Sequence, residues 1–201
     1  MKKIFTILTV VALAATTSFA QFSVKAGLNM ANIVSNDDNA ENGMKLGVII
    51  GGSYALEISD AMNLDISASY KQSGTKETLY SVSALNVNSE SSLIFSVNYL
   101  DISPSLSFNV SDVMSLSFGP YLAFALSGKL KSESTATVNG VPVATITSSE
   151  QSLKFGTDNN DDLKGTDFGL NIGAKFSIND AMSVSAGYAL GLTNLMHNSN
   201  S

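Results

Sequence analysis

The chain of 201 residues has no cysteine and no tryptophan, one histidine and three prolines. Without cysteine it can form no disulfide and no thiolate metal site, and it cannot carry the lipid of a bacterial lipoprotein. The lone histidine, His197, lies close to the end of the sequence. A hydrolytic triad needs a nucleophile, a base and a third positioned group, so catalysis finds little support and no catalytic residue is assigned. Basic residues are also scarce, at eleven Lys+Arg against seventeen Asp+Glu. That balance argues against nucleic acid as a partner, which wants a basic face. Beyond the first twenty residues no run is apolar enough to be a transmembrane helix, so if the chain spans a membrane it does so as a β-barrel.

The N-terminus carries an address. Lys2 and Lys3 precede an apolar stretch from Ile4 to Ala15, and Ser18-Phe19-Ala20 offers small residues for cleavage. Residues 1–20 read as a secretory signal peptide, with Gln21 as the first mature residue. The competing reading, a membrane anchor, is weakened because the apolar run does not extend past Ala20. Removing Lys2 and Lys3 leaves nine Lys+Arg against seventeen Asp+Glu, a formal charge of −8 for the single domain spanning 21–201.

One short turn recurs three times: Ile58-Ser59-Asp60-Ala61-Met62, Val110-Ser111-Asp112-Val113-Met114 and Ile178-Asn179-Asp180-Ala181-Met182. Ser or Asn followed by Asp is turn chemistry, because these side chains bond nearby backbone N–H groups. Each copy lies between two alternating segments and predicts a tight hairpin. In the strand after the second turn, Met114, Leu116, Phe118, Pro120, Leu122, Phe124 and Leu126 share one face, while Ser115, Ser117, Gly119, Tyr121, Ala123, Ala125 and Ser127 share the other. The same parity, even numbers apolar, holds in seven segments near 22–30, 44–58, 62–73, 93–110, 113–128, 166–178 and 182–194.

A soluble β-sandwich also alternates. Its outer face, however, carries many charges, whereas the polar face here is mostly Ser, Gly, Ala and Asn. Small residues suit the filled interior of an eight-stranded barrel, with the large residues facing lipid. The fold class is therefore all-β: an antiparallel up-and-down transmembrane β-barrel of the eight-stranded type, with seven strands visible and strand eight missing.

The chain resembles the PorT-like small outer-membrane β-barrel family, porin-family proteins of Gram-negative envelopes. The resemblance rests on Gly27-Leu28-Asn29, Tyr99-Leu100-Asp101-Ile102-Ser103-Pro104, Gly119-Pro120-Tyr121, Asp167-Phe168-Gly169-Leu170 with Gly173, and Tyr188 with Gly191-Leu192-Thr193-Asn194. It implies an eight-stranded barrel in the bacterial outer membrane and brings no catalytic residues or cofactor. The chain departs from it at the end: His197-Asn198-Ser199-Asn200-Ser201 stands where a last strand with a terminal aromatic is expected. Truncation before strand eight is the expected explanation. A genuinely open seven-stranded sheet would leave unpaired edges in lipid.

With Gln21 in the periplasm, the three Asp turns lie there too and the outer loops fall at about 31–43, 74–92 and 129–165. Within the third, Asn139-Gly140 between β-branched residues is a hairpin signal that extends the wall above the membrane. Two acidic stretches, Asn36 to Glu41 and Asp158 to Asp162, could offer oxygens to Ca²⁺. Neither has EF-hand spacing, so they read as solvated loops and no metal site is assigned. On the lumen face stand Lys25, Lys45, Lys71 and Lys175 with Glu57, Asp65, Asp101 and Asp167. They are expected to form two internally paired layers, Lys25 near the periplasmic mouth, as a structural network rather than an ion path. Pro104 and Pro120 are equidistant from Asp112 and should oppose each other at a bulge or weakened rung.

The function expected is structural, adhesive or interactive, through the outer loops, with outer-membrane lipid as surroundings and an envelope or extracellular protein as partner. The alternative is a secretion or transport accessory or a small porin-like channel, which a loop folded inward would favour. An envelope enzyme is a third reading and would need a His–Ser–Asp cluster.

Overall fold

Each segment that alternates at period two forms a strand, because only an extended chain puts successive side chains on opposite faces. The structure, a computed structural model, describes residues 21–32, 41–84, 87–139, 141–156 and 162–194. Its strands are β1 (Phe22–Ala31), β2 (Glu41–Ser59), β3 (Met62–Ala84), β4 (Val87–Ser111), β5 (Met114–Val138), β6 (Val141–Ser152), β7 (Phe155–Gly156), β8 (Leu163–Lys164), β9 (Thr166–Asn179) and β10 (Met182–Gly191). The main sheet runs β1-β2-β3-β4-β5-β9-β10, antiparallel throughout, and β6 joins it beside the upper part of β5. The seven expected strands are all present. Among the described residues β1 pairs only with β2 and β10 only with β9, so the sheet is a curled, open barrel wall.

The three Asp turns are two-residue connections closed by Ser59 with Met62, Ser111 with Met114 and Asn179 with Met182. The residue before each Asp supplies side-chain bonds in two of them: Ser111 Oγ accepts from Val113 and Met114 N–H, and Asn179 Oδ1 accepts from Ala181 N–H at 2.9 Å. Next to each turn the register slips by one residue, leaving Ile58, Val110 and Ile178 as the extra residue. The apolar first position of the repeat is thus a bulge site, where simple alternation predicts ordinary strand.

Face parity holds through the membrane band. On β5, Leu116, Phe118, Leu122 and Phe124 are exposed on the convex face, while Ser115, Tyr121 and Ala123 are buried on the concave one. An arginine at Phe118 is expected to cost about 2–4 kcal/mol of unfolding free energy in bilayers. Denaturant titration in lipid vesicles would read the loss, and an unchanged midpoint would mean that Phe118 does not face lipid.

The parity rule breaks midway along β5. Tyr99 pairs with Ala125 but Asn98 pairs with Ser127, so Leu126 is an extra residue. Leu126 and Ser127 are both exposed, and Gly128, an even-numbered residue, faces inward and is buried. Above this bulge, the spans expected as outer loops 74–92 and 129–165 are largely strand. β4 and β5 are each 25 residues long, against the roughly 9–11 that cross a bilayer. They continue upward with β3 and β6 as a four-stranded wall. Alternation is absent there because, apart from residues near the base such as Thr75 and Ser92, neither face is buried, while the Ser-, Thr- and Val-rich composition still favours extended chain. Asn139, at φ 52°, turns β5 into β6 and closes Val138 on Val141, as its Asn-Gly signal predicted.

Pro104 and Pro120 do lie opposite each other. Pairing runs from Ile102–Leu122 to Leu106–Phe118 with the register kept and no rung between. The ladders on their other sides, Ile66 with Pro104 and Pro120 with Leu170, continue unbroken. Facing two residues that lack an N–H confines the gap, residues 103–105 against 119–121, to the ladder between β4 and β5. Gly119 makes the pinch possible: a Cβ there would lie 2.1 Å from Pro104 O and 2.6 Å from Ser105 Cα.

Candidate functional site in the lumen

Odd-numbered residues line the concave face, and strand register sorts them into rows. One row runs Lys25, Gly51, Ser69, Asp101, Ala123, Asp167 from β1 to β9. Charged residues in this row are spaced by small ones, which leaves room for long side chains from neighbouring rows. Lys71, one step higher on β3, donates to Asp101 Oδ2 at 2.7 Å, with side-chain exposures of 14% and 9% for the two partners. The same ammonium lies 4.7 Å from the centroid of the Tyr121 ring. Tyr121 in turn donates its hydroxyl to Asp167 Oδ2 at 3.0 Å. A continuous chain of polar contacts therefore links β3, β4, β5 and β9. Lys25, expected near the periplasmic mouth, instead shares the row of Asp101 and interacts with the charges of Asp101 and Lys71. Counting residues from the turns ignored how neighbouring strands are staggered.

The expected second paired layer does not form. Among the described residues Lys45, Glu57, Asp65 and Lys175 make no ion pair, and Lys71–Asp101 is the lumen's ion pair. Glu57 and Lys175 are exposed near the Asp turns, where water solvates a charge without a partner. Two residues that charge counting missed are Tyr99 and Tyr121, both buried. Their signal was present: each is a large aromatic at an odd position among serines, glycines and alanines.

A second polar cluster repairs the proline gap. Pro120 O accepts from Ser103 Oγ at 3.2 Å and from Asn171 Nδ2 at 3.4 Å. Asn171 also contacts Ser103 Oγ and accepts from Ser105 Oγ at 3.2 Å. It reaches from β9 to β4 across Gly119, whose missing side chain clears the way. Side chains of Ser103 and Asn171 thus supply hydrogen bonds to a carbonyl in the gap of the ladder between β4 and β5.

Above the charged row lies an apolar layer. Val97 and Tyr99 are its buried members on β4; they join Ala123, in the charged row, and Tyr121, one step below it, in one buried cluster, with Ala125, Leu153, Phe155 and Leu163 packed against it. Leu153, Phe155 and Leu163 come from the connection between β6 and β9, which turns inward. Further out, Glu150 on β6 is held by Lys129 and Lys131, whose hydrogen bonds keep its carboxyl below the ordinary carboxylate range.

This arrangement fastens strands to one another. Among the described residues no group of three or more His, Cys, Asp or Glu is placed to hold a metal ion. The signal peptide at 1–20, His197, most of the first acidic stretch and Asp158 to Asp161 lie outside the described residues. A family model described as outer membrane protein beta-barrel domain matches residues 14–197. No curated protein and no solved structure matches the chain.

Proposed function

This chain belongs to the outer membrane protein beta-barrel domain family, and from that premise we propose that it is an interaction protein of the cell surface, working through the wall it raises outside the membrane. The observation that carries this reading is the height of β3 to β6. Strands 25 residues long greatly exceed the span of a bilayer. The excess is a sheet with Ser, Thr and Asn on its surfaces, braced by Lys76–Glu90 at 2.7 Å and by Glu150 with Lys129 and Lys131. Such a wall adds nothing to anchoring in lipid and offers a broad polar face to a protein or matrix partner.

The test is to remove the part of the wall that the barrel does not need. Leu153 N–H donates to Gly128 O at 3.0 Å, so a short turn can replace residues 129–152. Cells carrying the trimmed protein are expected to lose most of their attachment to matrix-coated surfaces while the barrel still assembles. Unchanged attachment would overturn an adhesive role.

A second reading, a small channel or transport accessory, is favoured by the inward turn of Leu153, Phe155 and Leu163. Catalysis has no supporting observation, and the protein is proposed not to be an enzyme.

A further inference from the structure

We propose that Leu153–Gly156 and Asp162–Gly165 together form a plug that closes the outer mouth of the lumen. An exposed connection between strands ordinarily runs over the surface with polar side chains. Here three large apolar residues turn inward and pack, together with Ala125, against the buried cluster of Val97, Tyr99, Tyr121 and Ala123, and Ala123 is completely buried.

The seat is built into the strand. The bulge at Leu126 reverses the parity of β5 and brings Gly128 to the inner face. A Cβ at Gly128 would lie 2.5 Å from Phe155 Cζ and 3.1 Å from Leu153 Cδ1, so the ring occupies the space that any other residue would fill. The plug is tied at both ends. Leu153 N–H donates to Gly128 O at 3.0 Å, and Ala125 N–H donates to Gly165 O at 2.8 Å. Its two halves are clamped to each other: Lys154 N–H donates to Asp162 Oδ2 at 2.8 Å, and Asp162 N–H donates back to Lys154 O at 3.0 Å. The short parallel pairing of β7 with β8 completes the closure. The plug thus packs against the cluster that includes Ala123 of the charged row, and a water-borne solute entering through this mouth toward the Lys71–Asp101 pair must first displace Phe155.

This inference deepens the second functional reading, and its test does not depend on whether the protein binds or transports anything. The chain has no cysteine, so a single introduced thiol reports alone. Ser69 is the position to use. It is 2% exposed, lies in the row of Asp101, and its Oγ makes no hydrogen bond, so Ser69→Cys loses none. On intact cells a small charged methanethiosulfonate should leave this thiol unmodified. Adding Phe155→Ser, or Gly128→Leu from the other side of the contact, should speed modification at least ~10-fold by favouring the open mouth. Heat-modifiable gel mobility would confirm that each variant is folded, and Gly128→Ala serves if the larger changes do not assemble. Rapid modification in the parent would overturn the proposal. So would equal protection in folded variants, because the mouth would then be closed by something else.

Discussion

Replacing Asp101 with alanine is expected to lower the unfolding free energy by about 3–5 kcal/mol, the range for removing one partner of a buried ion pair. The pair is well shielded, and Asp101 is the carboxylate facing both Lys71 and Lys25. Its loss leaves two ammonium groups in a narrow lumen. The Tyr121 ring under Lys71 offers only a weak substitute. The double variant Lys71→Met, Asp101→Leu should recover part of the loss, since a matched apolar pair can replace a buried ionic one. Recovery should be incomplete, because Lys25 keeps its charge. Urea unfolding in lipid vesicles would measure all three proteins. An Asp101→Ala protein as stable as the parent would mean that this level of the lumen is filled with water.

Gly119→Ala should be comparably damaging, at about 3 kcal/mol, the upper end of ordinary overpacking. The atoms that an added methyl would strike, Pro104 O and Ser105 Cα, belong to the backbone of β4 and cannot rotate away. To admit it, β5 must separate from β4 where the proline pair has already removed a rung. Asn171 would then lose its path to Ser103 and Ser105. Gly27→Ala provides the contrast. Its added methyl would meet only Ile49 Cγ2 at 3.4 Å, an ordinary contact, and its effect should stay within about 0.5 kcal/mol. Equal effects at the two glycines would show that curvature is not limited by Gly119.

These two expectations separate what was legible in the sequence from what was not. The barrel wall was legible because lipid enforces a rule on every residue: Leu116 to Phe124 could not alternate so strictly by chance. The turns and the facing prolines were legible because Asp60, Asp112 and Asp180 give fixed points from which to count. Counting fails where a single residue is inserted. Leu126 and Ser127 continue the written alternation, yet the bulge between them and β4 turns everything above to the opposite face. Pairing in the lumen was legible only in part. Charge type showed that Lys71 and Asp101 belong inside, but the height of Lys25 depends on stagger between strands far apart in sequence. The inward turn of Phe155 had no local signal, because its cause is the bare surface of Gly128, 27 residues earlier.

The open seam has a property that side chains do not determine. Six antiparallel ladders separate β1 from β10, so the two edge strands run in the same direction. They cannot join each other by the ladder used everywhere else in the main sheet. In hydrocarbon their outward N–H and C=O groups each cost several kcal/mol if left unpaired. A segment threaded against both edges with opposite polarity satisfies them on either side, whereas the same segment reversed would have to pair in parallel with both. The seam therefore discriminates between segments by the direction of their backbone before any side chain is read.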